Sequence, residues 1–296
     1  MTDDFLWVEK WRPPSISQCV LPERLKIEFQ SFVDIGKVPN LLLTGGPGVG
    51  KTTVARALLK QLDLDYIIIN GSMKGNIDTL RNEIQQFAST MSFNGKRKYV
   101  ILDEADYLNP QSTQPALRNF MEEFSNNCGF ILTCNFKNRI IEPLHSRCSV
   151  VEFNIDKKEI QDLCAQFFRR VENILKINGV QYDKQVVSEL IMKHCPDWRR
   201  IINELQRYSA TGKIDVGILT AMSNESFTSL IDMISGQDFS GLRKWVVDNG
   251  DIDTSVLYRE LYNHASKKMK PASIAQMVLI LAKYQYQAAF VVDHEI

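Results

Sequence analysis

Five short runs of apolar and β-branched residues recur in the first half of the chain: 41–44 (LLLT), 66–70 (YIIIN), 99–103 (YVILD), 129–133 (GFILT) and 149–153 (SVVEF). Their apolar character is nearly continuous rather than alternating, the pattern of strands covered on both faces. Stretches of a different period lie between them. Over 77–91, Ile77, Leu80, Ile84, Phe87 and Met91 fall on one helical stripe, and Leu117, Phe120, Met121 and Phe124 do so over 113–124. Strand and helix in alternation predict an α/β fold on an open, five-stranded parallel sheet. Its ligands should gather at the carboxyl ends of the strands.

After about residue 154 the strand signal stops. Segments 156–177, 183–195, 197–210 and 213–222 read as helices, broken at Asn178-Gly179, Pro196 and Gly212. A second helical block covers roughly 226–296, with breaks near Gly236, Gly250 and Pro271. The expected domains are an α/β domain at 1–154, a small helical domain at 155–223 and a helical C-terminal domain at 224–296. The stretch from Tyr284 to Val292 still reads as helix, and the chain stops at Ile296 without a capping residue, the mark of a helix cut short.

Composition narrows the partners. Lys+Arg and Asp+Glu each number 35, so any hold on nucleic acid must come from a local arrangement of cations and backbone amides. Six cysteines (Cys19, Cys128, Cys134, Cys148, Cys164, Cys195) lie scattered with no C-x-x-C pair, which argues for reduced thiols in a cytosol rather than zinc or disulfides. The N-terminus carries Asp3 and Asp4, and no apolar run of 18 residues exists, so neither export nor a membrane span is expected.

The chemistry starts where the first strand ends. Gly45, Gly50, Lys51 and Thr52 satisfy G-x-x-x-x-G-K-[ST] between an apolar strand and an apolar-periodic helix (Val54, Ala55, Ala57, Leu58, Leu59). Glycines let the loop's N–H groups turn toward phosphate oxygens, and the helix N-terminus adds partial positive charge. Lys51 would reach the outer phosphates of a nucleoside triphosphate and Thr52 would offer a hydroxyl to Mg²⁺. The third strand delivers Asp103-Glu104, a Walker B arrangement: Asp103 for Mg²⁺, Glu104 as base or orienter of the attacking water. The fourth ends Thr133-Cys134-Asn135, where Asn135 could hold that water or the γ-phosphate, or could simply start a turn. Arg147 precedes the fifth strand, and pattern alone does not separate it from a surface charge.

With these residues in place the whole chain resembles the AAA+ clamp-loader ATPases, the family of replication factor C small subunits and their phage relatives. Trp7-Val8-Glu9-Lys10-Trp11-Arg12-Pro13 resembles the family's opening W-V-E-K-[YW]-R-P segment, Asp103-Glu104-Ala105-Asp106 its D-E-A-D run, and Ser146-Arg147-Cys148 its S-R-C signature. Asp197-Trp198-Arg199-Arg200 resembles [GP]-D-x-R-[RK] of the second domain, and Asn70-Gly71-Ser72 with Pro196 points to the phage branch. Pro196 departs from the glycine usual in cellular relatives.

The resemblance implies a fold and a site. The fold is an AAA+ P-loop domain, a helical lid and a helical collar. Trp7, Val8 and Arg12 would lie near adenine, and Gly45, Gly46, Gly48, Val49, Gly50, Lys51, Thr52 and Thr53 around the phosphates. Arg199 would act on the γ-phosphate, and Arg147 in trans on a neighbouring subunit's ATP. It also implies ATP and Mg²⁺, a sliding clamp, a small clamp-loader subunit, further copies of the chain (four with one small subunit) and primer–template DNA. The setting would be host cytoplasm. The rival readings are a catalytically silent scaffold subunit and another AAA+ DNA motor.

For DNA, Lys74 and Arg81 sit at the start of the 77–91 helix, within a segment (Ile77-Asp78-x-x-Arg81) that resembles a duplex-tracking helix of the family. Ser112 and Thr113 open the helix after Walker B. Gln111, Gln114 and Arg118 read as a polar face of that helix, opposite its apolar stripe. Lys96-Arg97-Lys98 and Lys267-Lys268 read as solvated surface.

Overall fold

The computed structural model describes residues 5–72, 77–90, 92, 95–210, 212–214, 225–248 and 254–288. Strands β1 (Leu41–Thr44), β2 (Tyr66–Asn70), β3 (Lys98–Asp103), β4 (Cys128–Cys134) and β5 (Ser149–Glu152) form one sheet in the order β2-β3-β4-β1-β5. Every pairing is parallel, so all carboxyl ends meet one edge. Because β4 lies between β1 and β3, the loop after β1 and the carboxylates after β3 flank the end of β4.

The sheet splits its side chains by the strand period of two. Leu41 and Leu43 pack with α2 (Glu23–Ile35) and α3 (Lys51–Gln61), through Leu25, Phe29, Val54 and Leu58. Leu42, with Val100 and Leu102, packs on the other face with α4 (Ile77–Ser89) and α5 (Thr113–Glu123), through Leu80, Ile84, Leu117 and Phe120. β1 and β4 are buried throughout, whereas the edge strands β2 and β5 are only partly covered.

Lys98 corrects the surface reading of its run. It is 6 % exposed, its Nζ donates to Thr90 Oγ1 at 2.6 Å and Phe87 O at 3.3 Å, and it lies over the Phe87 ring. Those acceptors and the ring offset the cost of burying an ammonium.

A short helix α1 (Trp7–Lys10) precedes the sheet, and α6 (Glu142–His145) precedes β5. Beyond β5 come α7 (Lys157–Ile177), α8 (Lys184–His194) and α9 (Trp198–Ser209). α7 starts with a capping box in which Asp156 and Glu159 satisfy each other's backbone amides. The strand signal does not stop at 154: β6 (Gln181–Tyr182) pairs in parallel with β7 (Lys213–Ile214). The segment expected as helix from 213 therefore opens as strand, and 215–222 lie outside the described residues. Two residues are too few to leave a periodic trace.

Residues up to Ile218 form one compact unit and Leu219–Ile296 another. The second contains helices Glu225–Ser235, Phe239–Asp248, Thr254–Lys268 and Pro271–Ala288. Pro271 opens the last of these, where its missing N–H costs nothing. No helix among the described residues is long and apolar enough to cross a membrane.

Candidate active site

β1 hands the chain directly to the phosphate-binding loop, and α3 begins at Lys51. Gly48 and Gly50 take φ of 73° and 99°, a left-handed backbone that a side chain would strain. At Gly48 the space is also filled, since an added Cβ would lie 1.8 Å from Asp197 Oδ1. The loop thus leads into a helix N-terminus whose first amides lack intrahelical acceptors, a cradle suited to phosphate.

Lys51 is 8 % exposed. Its ammonium donates to Gly45 O at 2.8 Å, Gly46 O at 2.7 Å and Asn135 Oδ1 at 2.9 Å. Burial is the main force lowering its pKa, with Cys134, Asp103 and Asp106 opposing it. A cation held by neutral acceptors in a desolvated place is ready to exchange them for phosphate oxygens. Asn135 therefore sits against the loop's lysine, where the end of β4 was expected to bring it.

The carboxylate side is equally ordered. Thr52 Oγ1 and Thr133 Oγ1 each donate to Asp103 Oδ1 at 2.6 Å. Glu104 N donates to Thr133 Oγ1 at 3.1 Å, and Glu104 itself is left-handed, at φ 56° and ψ 46°. Thr52 and Asp103 offer adjacent hard oxygens, the donor chemistry of Mg²⁺, which needs few protein ligands beside substrate phosphates. Asp106, 5 % exposed, accepts from the backbone N–H of Asn135 and Phe136, each at 3.2 Å.

The N-terminal segment and the α7–α9 helices close the other side. Trp7, Val8, Arg12, Trp198 and Arg199 line a cavity together with the loop from Gly48 to Val54. Arg12 Nη1 donates to Thr53 Oγ1 at 2.9 Å, and its guanidinium pairs with Glu9, which Arg56 also meets at 3.1 Å. The bond from Arg12 is the chief reason the Glu9 carboxyl lies below its ordinary pKa. Trp7 N donates to Gln206 Oε1 of α9 at 2.9 Å, and Arg170 of α7 donates to the carbonyls of Trp11 and Gln18. Asp197 caps α9 by accepting from Arg200 N at 3.0 Å, while Trp198 N donates to Gly48 O at 3.2 Å. The cap thus seats α9 on the phosphate loop and sets the exposed Arg199 at the cavity wall.

Arg147 lies apart from this cluster in its bonding. Its guanidinium donates to Glu122 Oε1 through Nε at 2.9 Å and through Nη2, and to Pro143 O at 2.9 Å.

Two DNA candidates on α5, Gln114 and Thr113, need correction. Gln114 is fully buried: its Nε2 donates to Leu108 O at 3.0 Å and Arg139 O at 2.9 Å, and its Oε1 accepts from Ile141 N at 2.9 Å. Thr113 is 1 % exposed. Both stand three or four residues before Leu117 and so share its buried stripe, where two passing loops leave backbone groups to be satisfied. Arg118 is half-buried, with Nε enclosed, while Ser112, Gln111 and Arg81 are exposed. Lys74 lies outside the described residues.

Thr133 and Gln206 join the site from outside any motif, and Asp106 and Glu9 from within motifs that gave them no role of their own. Thr133 had one signal, a polar residue inside an otherwise apolar run that ends beside Asn135.

Residues 41–155 match the family model "ATPase family associated with various cellular activities (AAA)", and 159–220 match "Sliding-clamp-loader large subunit, AAA+ ATPase lid domain". The Sliding-clamp-loader large subunit of Enterobacteria phage T4 is 36% identical over 93% of this chain and 87% of its own length. That of Escherichia phage RB69 is 39% identical over 79% and 75%. The Replication factor C small subunit of Archaeoglobus fulgidus is 36% identical over 71% and 65%. A solved structure of a mutant RuvB from Thermotoga maritima aligns with TM-score 0.56 over 88% of this chain and 87% of that one, at 16% identity, a likeness of fold alone. With a lysine-bearing phosphate loop, a Walker B pair and a lid seated on that loop, the chain belongs to the sliding-clamp-loader family of AAA+ ATPases.

Proposed function

We propose that this chain is the ATPase subunit that opens a ring-shaped sliding clamp and places it on primer–template DNA, hydrolysis then releasing the clamp. The observation that carries the reading is the division of the catalytic set. Lys51 with Asn135 and Thr52 with Asp103 are joined by hydrogen bonds at one loop, with Glu104 next in the chain to Asp103, while Arg147 is held by Glu122 and Pro143 rather than by that loop. An ATP site that draws its arginine from the next copy hydrolyses only when copies stand side by side. This suits a motor that must assemble before it fires.

Lys51 and the loop amides bind the phosphates, Trp7, Val8 and Arg12 bound the base side, and Asn135 orients the outer phosphate or the attacking water. Glu104 takes the water's proton, and Arg147 from the neighbour stabilises the charge that spreads over the γ-phosphoryl oxygens. Arg199 senses the same phosphate from the lid. Thr52 and Asp103 would hold Mg²⁺, which supplies charge neutralisation on the phosphates. The partners are the clamp, a small clamp-loader subunit, other copies of this chain in a ring (four to one small subunit) and DNA, in the host cytoplasm. Lys74, Arg81, Ser112 and Arg118 remain the DNA-contacting candidates. The domain limits proposed are 1–154, 155–223 and 224–296.

Capture on immobilised clamp tests the reading. With ATP the chain and its small subunit should be retained, and Lys51→Ala should abolish retention. Equal retention with and without ATP would contradict it.

A further inference from the structure

We infer that Thr133 is a positioning residue for both Walker B carboxylates, holding Asp103 in place and fixing Glu104 in its left-handed backbone. The inference rests on the reading of Glu104 as the base. Thr133 is 1 % exposed on the central strand β4, paired with Leu43 of β1, and β3 lies on its other side. One hydroxyl serves two residues. It donates to Asp103 Oδ1 at 2.6 Å and accepts from Glu104 N at 3.1 Å.

Neither bond is incidental. Asp103 Oδ1 takes a second hydroxyl, from Thr52 on the phosphate-loop helix, so Thr133 fixes the carboxylate from the sheet side while Thr52 approaches from the nucleotide side. Glu104 at φ 56° occupies a region that side-chain-bearing residues enter at a cost, and such a conformation persists only where the surroundings over-determine it. The surroundings here are few and named. The Glu104 N–H is tied to Thr133, its carbonyl accepts from Tyr107 N at 3.1 Å, and Gly71 stands so close that a Cβ there would lie 2.6 Å from Glu104 O. Without the hydroxyl, a part-buried amide loses its acceptor and the backbone can relax toward right-handed values. The Glu104 side chain then leaves its aim. A shift of about 1 Å in a catalytic group can cost about 10²-fold in rate.

The test compares Thr133→Val and Thr133→Ala, which lose the hydroxyl with and without filling the space, against Thr133→Ser, which keeps it, with Glu104→Gln as benchmark. Each is assayed in the assembled loader for ATP affinity and for turnover with clamp and primed DNA, and as the isolated chain for melting temperature. Valine and alanine should lower turnover at least about 10-fold while ATP affinity stays within about threefold. Both should also melt about 2–8 °C lower, and serine should restore turnover and melting. Valine turning over like the unmodified chain, or serine failing as badly as alanine, overturns the inference. Should valine not fold, the alanine–serine contrast decides alone. If Glu104→Gln itself keeps full turnover, the reading of Glu104 fails instead, a distinct outcome.

Discussion

At the level of single residues the site is a set of exchanges between charge and burial. Lys51 is desolvated yet fully hydrogen-bonded, so removing its ammonium leaves three acceptors facing a phosphate cradle with no cation. Lys51→Ala should abolish tight ATP binding, measured by titration calorimetry with Mg²⁺. Glu104→Gln removes a base while keeping shape, so ATP should still bind within a few-fold while turnover drops about 10²–10⁴-fold. A Glu104→Gln chain that cannot bind ATP would count against the role. These residues were legible because a phosphate loop and a Walker B pair each need fixed residue types at fixed spacing. Thr133 was not, since its partners are set by strand order, and no spacing along the chain places residue 133 beside residue 103.

At the level of elements, α5 teaches the most. Its apolar stripe placed the helix within a residue, but a buried glutamine in that stripe resembles a polar face when only apolar residues are counted. Gln114 ties Leu108, Arg139 and Ile141 together through buried backbone groups. Gln114→Ala should therefore destabilise the fold by about 2–4 kcal/mol, read as a lower urea midpoint, rather than act on DNA response alone. Unchanged stability would restore the surface reading. The α8–α9 turn adds a second expectation. Burial, helped by Arg200 and Lys193, lowers the His194 pKa from 6.5 to about 4. The folded state thus holds the ring neutral, and the unfolded chain binds the proton more readily. Its stability contribution is complete above pH 6.5 and is lost as pH falls toward 4. Between pH 7 and 5 the melting temperature should fall less steeply in His194→Gln than in the unmodified chain, and equal slopes would contradict this. Short pairs such as β6 with β7 stay invisible to any periodicity because two residues make no pattern.

For the whole molecule, the sheet order, the lid on the phosphate loop and the family membership agree with one another, and what extends past a single chain rests on Arg147. An arginine supplied from a neighbour is worth about 10³–10⁵-fold in other NTPases. Arg147→Ala assemblies should keep ATP binding and hydrolyse slowly, and Lys51→Ala assemblies should be inactive. Mixtures should regain partial activity at interfaces that pair an intact loop with an intact arginine, and activity no higher than the sum of the parents would place the arginine in cis. The partners leave no pattern in a chain of zero net charge, so they are tested by function. The most direct measurement is steady-state ATP turnover of the assembled loader, alone, with clamp, with primed DNA and with both. Turnover should be low alone and highest with both, and should vanish in Lys51→Ala. Turnover indifferent to clamp and DNA would contradict a clamp-loading ATPase.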